Sequence, residues 1–138
     1  MIAIVDYGVG NLFSLKSSLI AIGADATVTA DAQTLRDADK IILPGVGAFG
    51  DAAKKLNDSG LAEVLIEEAK AGKPLLGICL GMQLLFDESC EYGRHEGLGF
   101  VPGEVVDLHE DLTDQTLKVP HMGWNSLQIQ VEIGRAHV

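Results

Sequence analysis

Three short, uninterrupted apolar runs constrain the fold of this 138-residue chain most strongly. They are residues 1–5 (MIAIV), 41–43 (IIL) and 75–78 (LLGI), which are too short for helices and lack the alternation of half-buried strands. Such runs are typical of strands buried on both faces of a parallel sheet. A weaker strand is predicted over residues 26–29. Helical patterns separate these runs, so the chain is predicted to form a doubly wound, mainly parallel α/β sheet with flanking helices.

The segments between the strands show helical spacing. Asn11 can cap the first helix, whose apolar stripe reaches Ile22, and Gly23 can end it. Further helical patterns cover residues 52–56, 61–71 and 80–86, with a short polar helix or turn before residue 39. We expect a loop over residues 88–103 and strands over residues 104–108, 117–119 and 127–131. Right-handed crossovers then bring the loops after the three apolar runs to one edge of the sheet, where a site is expected.

Charge and composition exclude several classes of function. The formal charge is −10 at pH 7, and no basic cluster could displace counterions from a nucleic acid. No apolar run approaches the ~20 residues of a membrane span. The two cysteines form no CxxC pair, and the chain has neither an HExxH motif nor a secretory signal. We therefore expect a soluble, cytoplasmic protein that needs no metal or cofactor and binds no nucleic acid or membrane.

A cysteine stands between two close glycines where the third apolar run ends, in the order Gly77-Ile-Cys79-Leu-Gly81. This G-x-C-x-G pattern is the thiol counterpart of the nucleophile elbow, a cramped turn whose neighbours must lack side chains. The following helix would favour the thiolate, and the Leu80 N–H would be free to hold an oxyanion. The alternative is a core cysteine packed between glycines, but the strand before it and the helix after it favour a nucleophile at Cys79.

The loop Pro44–Gly47 (PGVG) follows the neighbouring strand. Alone it would be an ordinary turn. Beside the elbow, its N–H groups near Val46 and Gly47 can supply the second oxyanion donor that acyl transfer requires. Gln83 lies four residues after Cys79 on the same helix face, where it can touch a substrate or simply be solvated.

A base for the thiol is harder to identify. Cysteine hydrolases use an imidazole, which a carboxylate usually orients. The chain has His95, His109, His121 and His137. His109 precedes Asp111 by two residues, but it lies in a highly acidic turn, where a solvated histidine is favoured. None of the four is a convincing base from its sequence context.

The elbow, the PGVG loop and the opening DYGVGN (residues 6–11) together resemble the class I, or triad, glutamine amidotransferases. Within that family, residues 117–125 (LKVPHMGWN) are similar to the glutaminase subunits of imidazole glycerol phosphate synthases. The resemblance covers residues 1–130 and carries several motifs in the same order. It implies a doubly wound α/β domain that hydrolyses L-glutamine to glutamate and ammonia.

The resemblance also implies roles for particular residues. Cys79 would attack the side-chain carboxamide and form a glutamyl thioester that water then cleaves. Leu80 and Val46, with Gly47, would hold the oxyanion, while Gln83 and Gly45 would contact the substrate. Ammonia would pass to a (β/α)₈-barrel cyclase subunit in a heterodimer, which converts the phosphoribulosyl-formimino intermediate PRFAR to imidazole glycerol phosphate and AICAR in histidine biosynthesis.

The cyclase-facing surface of the family is matched by Pro120, Met122 and Trp124, and Asn11 is expected at the same interface or as a helix cap. Trp124 is the chain's only tryptophan and would make a large apolar anchor. The alternative is a tryptophan in the core. From the residues alone, the two interpretations are equally supported.

The last residues depart from the family pattern. Family members carry a histidine and a glutamate, as H-x-E, well beyond the PHMGWN segment, and no such motif follows here. We interpret residues 1–131 as a partial amidotransferase domain and residues 132–138 as a non-native tail. We therefore expect little glutaminase turnover from the 138 residues as written. The alternatives are a non-catalytic module that binds the cyclase, and another cysteine-elbow α/β hydrolase or thiol sensor.

Overall fold

A computed structural model describes residues 1–114 and 116–126 of the chain. The chain divides into two compact units. The first is Met1–Asp107 and contains every strand described below, and the second begins at Leu108. The predictions for a strand over residues 127–131 and for a non-native tail over residues 132–138 lie outside the described residues.

A parallel four-stranded sheet forms the centre of the first unit. Its strands are β1 (Ile2–Val5), β2 (Ala26–Thr29), β3 (Lys40–Leu43) and β4 (Leu75–Gly77), in the spatial order β2-β1-β3-β4. Every neighbouring pair is parallel, so the carboxyl ends of all four strands lie along one edge. The predicted parallel α/β sheet is therefore confirmed.

Helices connect these strands as the doubly wound pattern requires. They are α1 (Leu12–Ala21), α2 (Ala32–Asp37), α3 (Phe49–Asp58) and α4 (Leu61–Lys70). The connection from β1 to β2 runs across the sheet in the direction opposite to the later connections. Because such crossovers are right-handed, α1 lies on one face of the sheet and α2, α3 and α4 lie on the other.

The core lies mainly between the sheet and α2, α3 and α4. Its largest fully buried side chains include Leu35, Ile41, Leu43, Phe49, Leu56 and Leu65. Ile4 and Ile42 alternate with core-facing residues on their strands and therefore point to the face that carries α1, and both are buried. The runs that form β1 and β3 are thus buried on both faces, as the sequence predicts. The prediction is wrong for the third run, because Leu76 on the outer strand β4 is 50% exposed and Ile78 just after it is 37% exposed.

The chain after the elbow differs from the prediction of a long helix and a loop. Helix α5 is a single turn, Leu80–Gln83, and a second sheet follows with β5 (Phe86–Ser89), β6 (His95–Glu96) and β7 (Val101–Val105). The helix predicted to reach residue 86 ends early because later residues take its carbonyl groups. The Leu98 N–H donates to the Leu84 carbonyl at 2.8 Å, and the Phe100 N–H donates to the Leu85 carbonyl at 2.8 Å.

The strand predictions near the second unit also need correction. The strand predicted over residues 104–108 is β7, which begins at Val101 and ends at Val105, and helix α6 (Leu108–Asp111) follows. Residues 117–119 form no strand. Asp114 instead accepts a hydrogen bond from the Thr116 N–H at 2.9 Å, which stabilises a local turn in place of an extended chain.

The Lys73 side chain links the end of α2 to α4. Its ammonium donates to the Leu35 carbonyl at 2.9 Å and the Arg36 carbonyl at 2.6 Å, and it pairs with Glu68 at 2.6 Å. Its side chain is only 13% exposed, so these bonds are shielded from water. We expect Lys73→Met to lower the free energy of unfolding by about 2 kcal/mol in urea denaturation, because it leaves a half-buried carboxylate and two carbonyls without their donor.

Lys16→Met on the exposed surface of α1 is the matched control. It should change the free energy of unfolding by less than about 0.5 kcal/mol. Equal effects of the two variants would show that the contacts of Lys73 contribute nothing specific.

Candidate active site

Cys79 lies on a sharp turn between β4 and α5. Its backbone angles are φ 55° and ψ −118°, in a region that residues other than glycine seldom adopt, and its side chain is exposed. Tyr92 is the only other described residue besides glycine with a positive φ. Such a backbone conformation costs free energy and persists only where the surrounding structure holds it. It is found most often at functional sites. The turn therefore presents the thiol to solvent at the carboxyl edge of the sheet.

Close backbone packing explains the two glycines beside Cys79. A Cβ atom on Gly81 would lie 1.9 Å from the Leu43 carbonyl oxygen, and one on Gly77 would lie 2.5 Å from the Met82 Cα. Both distances are far below any real contact, so no other residue fits at either position without backbone movement. The glycines let the start of α5 lie directly against the end of β3.

Backbone hydrogen bonds fix the elbow in this position. The Ile78 N–H donates to the Leu43 carbonyl at 3.0 Å, and the Gly81 N–H donates to the Ile78 carbonyl at 3.0 Å. The Leu80 N–H is at the first position of α5, where it has no acceptor within the helix. The Leu80 side chain is buried, so this peptide group is held firmly next to the thiol. It can therefore donate to an oxyanion that forms at Cys79.

The Pro44–Gly47 loop packs directly against the elbow. A Cβ on Gly45 would lie 2.7 Å from the Gly81 nitrogen and 2.9 Å from the Leu80 Cβ. Gly47 has φ 95°, and the Val46 side chain is 55% exposed. The structure thus brings together the two loops that the sequence predicts as a pair, and it places Gly45 at their contact.

Tyr7 anchors the first residue of this loop. Its hydroxyl donates to the Pro44 carbonyl oxygen at 2.7 Å, and the ring belongs to the buried core. Burial raises the pKa of Tyr7 to about 12, so the phenol remains a protonated donor near neutral pH. The sequence analysis includes this residue only in the motif DYGVGN and gives it no role. The apolar run before it was the available signal, since the tyrosine continues the buried strand.

Glu91 is a second residue that sequence reasoning missed. Its carboxylate accepts a hydrogen bond from the Phe49 N–H at 3.2 Å, at the first residue of α3 and just beyond the Pro44–Gly47 loop. Its own N–H donates to the Oγ of the fully buried Ser89 at 3.1 Å. The segment was predicted as a loop, and nothing local in the sequence signals a partner 42 residues away.

The remaining predicted residues of the first unit lie near these loops. Gln83 is half-buried at the end of α5, and its N–H donates to the Cys79 carbonyl at 3.2 Å. The Asn11 side chain accepts from the Ser14 N–H at 3.2 Å, which confirms the predicted cap of α1. The His95 ring packs against Gly50 in α3, since a Cβ placed on Gly50 would lie 2.7 Å from the ring. This contact is with α3 and not with the Cys79 thiol.

A shallow cavity of about 290 Å³ lies beside the Pro44–Gly47 loop. Gly8 and Gly10 line it from the first loop, Val46 and Gly47 from the second, and Lys55 from α3. A Cβ on Gly10 would lie 3.1 Å from the Pro44 Cβ, so the two loops are in contact. Cys79 does not line this cavity. Three strand-end loops therefore meet at the edge, as the sheet topology predicts.

The second unit presents its apolar residues to solvent. Met122 is 86% exposed and Trp124 is fully exposed, while the Val119–Pro120 peptide bond is cis. The His121 Nε2 lies 3.2 Å from the Asn125 Nδ2. The interpretation of Trp124 as a core residue is therefore wrong for the described structure.

Two classes of site find no support among residues 1–114 and 116–126. No three His, Cys, Asp or Glu side chains in this part are close enough to hold a metal ion. None of the described helices is long and apolar enough to cross a membrane.

The fold is a parallel α/β sheet with an exposed cysteine on a strained turn between a strand and a helix. Residues 3–136 match the family model described as glutamine amidotransferase class-I. The chain therefore belongs to the class-I glutamine amidotransferase family, as its motifs predict.

Two curated relatives show which members of this family the chain resembles. The chain is 52% identical over 127 residues to the imidazole glycerol phosphate synthase subunit HisH of Sulfurimonas denitrificans, which covers 92% of this chain and 61% of that protein. It is 52% identical over 130 residues to the protein of the same name from Bacillus licheniformis, covering 94% and 61%. The chain thus spans about three fifths of the length of these relatives.

Solved structures support the fold. A crystal structure of a glutamine amidotransferase has a TM-score of 0.66 at 22% identity, covering 77% of this chain and 56% of that one. A putative peptidase E from Listeria monocytogenes has a TM-score of 0.60 at 17% identity, covering 72% and 62%. At these identities the likeness concerns the fold alone.

Gly81→Ala tests the close approach of α5 to β3. The added methyl would overlap the Leu43 carbonyl, so we expect the free energy of unfolding in urea to fall by about 3 kcal/mol or more. Gly123→Ala, where nothing lies within 4 Å of the new Cβ, should stay within about 0.5 kcal/mol of the parent. Full stability of Gly81→Ala would refute the packing described for the elbow.

Proposed function

We propose that this chain carries the nucleophile half of a glutaminase that hydrolyses L-glutamine to glutamate and ammonia. The observation that supports this most directly is the position of Cys79. It lies on a strained turn, with the Leu80 N–H beside it and the Pro44–Gly47 loop packed on the elbow. A nucleophile beside backbone donors from two loops is what acyl transfer from an amide requires.

The reaction proceeds in two steps. The thiolate of Cys79 attacks the carboxamide carbon of glutamine, and the carbonyl π electrons move onto oxygen. The N–H of Leu80 and the N–H groups of Val46 or Gly47 stabilise that oxyanion. When the oxyanion collapses, the C–N bond breaks, a general acid protonates the leaving nitrogen, and ammonia departs from a glutamyl thioester. Water then attacks the thioester, which releases glutamate and restores the thiol.

Two further residues are proposed to position the substrate. Gly45 lies at the contact between the loop and the elbow, where a side chain would overlap the Gly81 nitrogen. The missing side chain lets the loop lie against the elbow, and the Gly45 backbone is proposed to contact the substrate there. Gln83 is half-buried one helical turn after Cys79, so its amide can hydrogen-bond to the glutamine.

We further propose that ammonia is passed to a partner cyclase, as in imidazole glycerol phosphate synthase. The support is the identity of about half to proteins named as a subunit of that synthase. The cyclase would use the ammonia to convert PRFAR to imidazole glycerol phosphate and AICAR. A reduced thiol at Cys79 is needed for this chemistry, which fits the cytoplasmic location expected from the sequence.

The residues proposed to meet the cyclase are Pro120, Met122 and Trp124 in the second unit and, considered separately, Asn11 in the first. Met122 and Trp124 expose large apolar side chains, which are the residue types that anchor interfaces. Asn11 uses its side-chain oxygen to cap α1, so its amide N–H₂ remains available to a partner.

Covalent labelling tests the role of Cys79 without requiring turnover. A chloroketone analogue of L-glutamine places an electrophilic carbon where the carboxamide would bind. We expect it to alkylate Cys79, and we expect millimolar L-glutamine, but not D-glutamine, to slow the reaction at least about tenfold by occupying the site. Intact-mass spectrometry and peptide mapping measure the rate and the position of labelling.

The chain's second cysteine provides the matched control. Cys90→Ser should be labelled like the parent, whereas Cys79→Ser should not be labelled. Labelling that L-glutamine fails to slow would refute the glutaminase proposal. Oxidation of Cys79 by peroxide without any analogue labelling would favour a thiol sensor instead.

Trp124→Ala tests the proposed interface. Removal of a fully exposed indole should leave the stability of the chain nearly unchanged but weaken binding to the cyclase subunit by at least about tenfold. Isothermal titration calorimetry with a purified cyclase from a histidine-pathway synthase measures this change. Tyr92→Ala removes another exposed aromatic ring that lies outside the proposed surface, and it should bind like the parent. Equal affinities for all three proteins would exclude Trp124 from the interface.

A further inference from the structure

Tyr7 connects two of the loops at the candidate site. It follows β1, and its hydroxyl reaches across to the loop after β3, where it donates to the Pro44 carbonyl at 2.7 Å. The residue is only 5% exposed, so this hydrogen bond is shielded from water. A hydroxyl in this position fixes the orientation of the peptide plane between Pro44 and Gly45.

Few hydrogen bonds hold this loop. Within the part of the chain that the structure describes, the bond from Tyr7 is the only hydrogen bond made to residues 44–47. Pro44 has no N–H, and the glycines at positions 45 and 47 lack side chains that could anchor the backbone. Val46 is more than half exposed. The orientation of the N–H groups in this loop therefore depends on its entry point.

The same hydroxyl also lies at the elbow. A Cβ on Gly45 would lie 3.0 Å from the Tyr7 hydroxyl oxygen and 2.9 Å from the Leu80 Cβ. Tyr7 and Leu80 both belong to the one buried core. The phenol thus contacts the point where the oxyanion loop meets the helix that follows the nucleophile.

We propose that Tyr7 is a positioning residue, whose hydroxyl sets the distance and orientation of the Pro44–Gly47 loop relative to Cys79. The proposal rests on the glutaminase function proposed above. Tyr7 does not touch the reacting atoms. It acts through the Pro44 carbonyl, which fixes where the chain enters the loop that carries the Val46 and Gly47 N–H groups.

Tyr7→Phe separates this role from simple packing. The phenylalanine ring fills the same core volume, whereas the hydroxyl donor is removed. The test compares two electrophiles on the full chain. The chloroketone analogue of L-glutamine needs the bound substrate geometry, whereas iodoacetamide reacts by displacement at a CH₂ group, which places no charge on an oxyanion and needs no site. Both rates at Cys79 are measured by intact mass in chains that also carry Cys90→Ser, because Cys90 is a second exposed thiol, and urea denaturation checks folding.

We expect Tyr7→Phe to lower the chloroketone rate about tenfold, because a misplaced loop costs rate even when its donors remain. The iodoacetamide rate should stay within about twofold of the parent, since thiol exposure does not change. Tyr92→Phe removes the chain's only other phenol, which is exposed, and should leave both rates unchanged. If the chloroketone rate of Tyr7→Phe equals that of the parent, or if both rates fall together, the positioning role is wrong.

A second measurement follows the parent chain itself. The parent chain is grown with 3-fluorotyrosine, which gives two ¹⁹F resonances that the two phenylalanine variants assign. Alkylation by the chloroketone analogue should shift the Tyr7 signal and leave the Tyr92 signal unchanged, and an unmoved Tyr7 signal would overturn the proposal. The two proposals fail in different ways. Parent labelling that L-glutamine does not slow overturns the glutaminase function, and with it this inference, whereas glutamine-protected labelling that is equal in Tyr7→Phe overturns the inference alone.

Discussion

The contact between Gly81 and the Leu43 carbonyl is the constraint on which the candidate site depends. Strands β3 and β4 are paired up to Leu43 and Gly77, so the chain must turn immediately after the sheet ends. It can do so only if α5 starts against the β3 backbone, which requires a residue without a side chain at position 81. The positive φ of Cys79 follows from the same turn. The strained backbone at Cys79 and the Leu80 N–H without an acceptor in the helix therefore both result from one packing requirement.

The order of strands in the parallel sheet places the other loops of the candidate site next to the elbow. Because β1, β3 and β4 are consecutive in the sheet, the loops that follow them emerge side by side. Tyr7 from the first loop and Glu91 from the chain after β5 hold the two ends of the segment from Pro44 to Phe49. The sheet sets which loops are neighbours, while the hydrogen bonds of these two side chains fix the two ends of the middle segment.

Much of this arrangement could be predicted from the sequence. The apolar runs around Ile4, Ile42 and Leu76 indicated the strands, and the glycines around Cys79 indicated the turn. These signals are local, because burial on both faces of β1 and β3 and a lack of space at the glycines leave a direct mark on residue type. The roles of the site residues remain predictions that the labelling experiments address.

Long-range interactions account for what the sequence did not reveal. The apolar residues after Gln83 suggested a continued helix, but hydrogen bonds from residues 98–101 end it after one turn. The role of Glu91 depends on a partner in α3 that no spacing rule connects to it. The exposure of Trp124 is likewise a property of the folded chain, because a tryptophan suits a core and an interface equally well.

The tight fit of the glycines also limits how this site can be altered. At positions 45, 77 and 81 a single methyl group would overlap neighbouring atoms, so these positions admit no variation of chemistry at all. Val46 is more than half exposed and Gln83 is half-buried, so their side chains can change size and polarity without moving the backbone. Attempts to change what the candidate site accepts would therefore begin at these two positions and leave the three glycines unchanged.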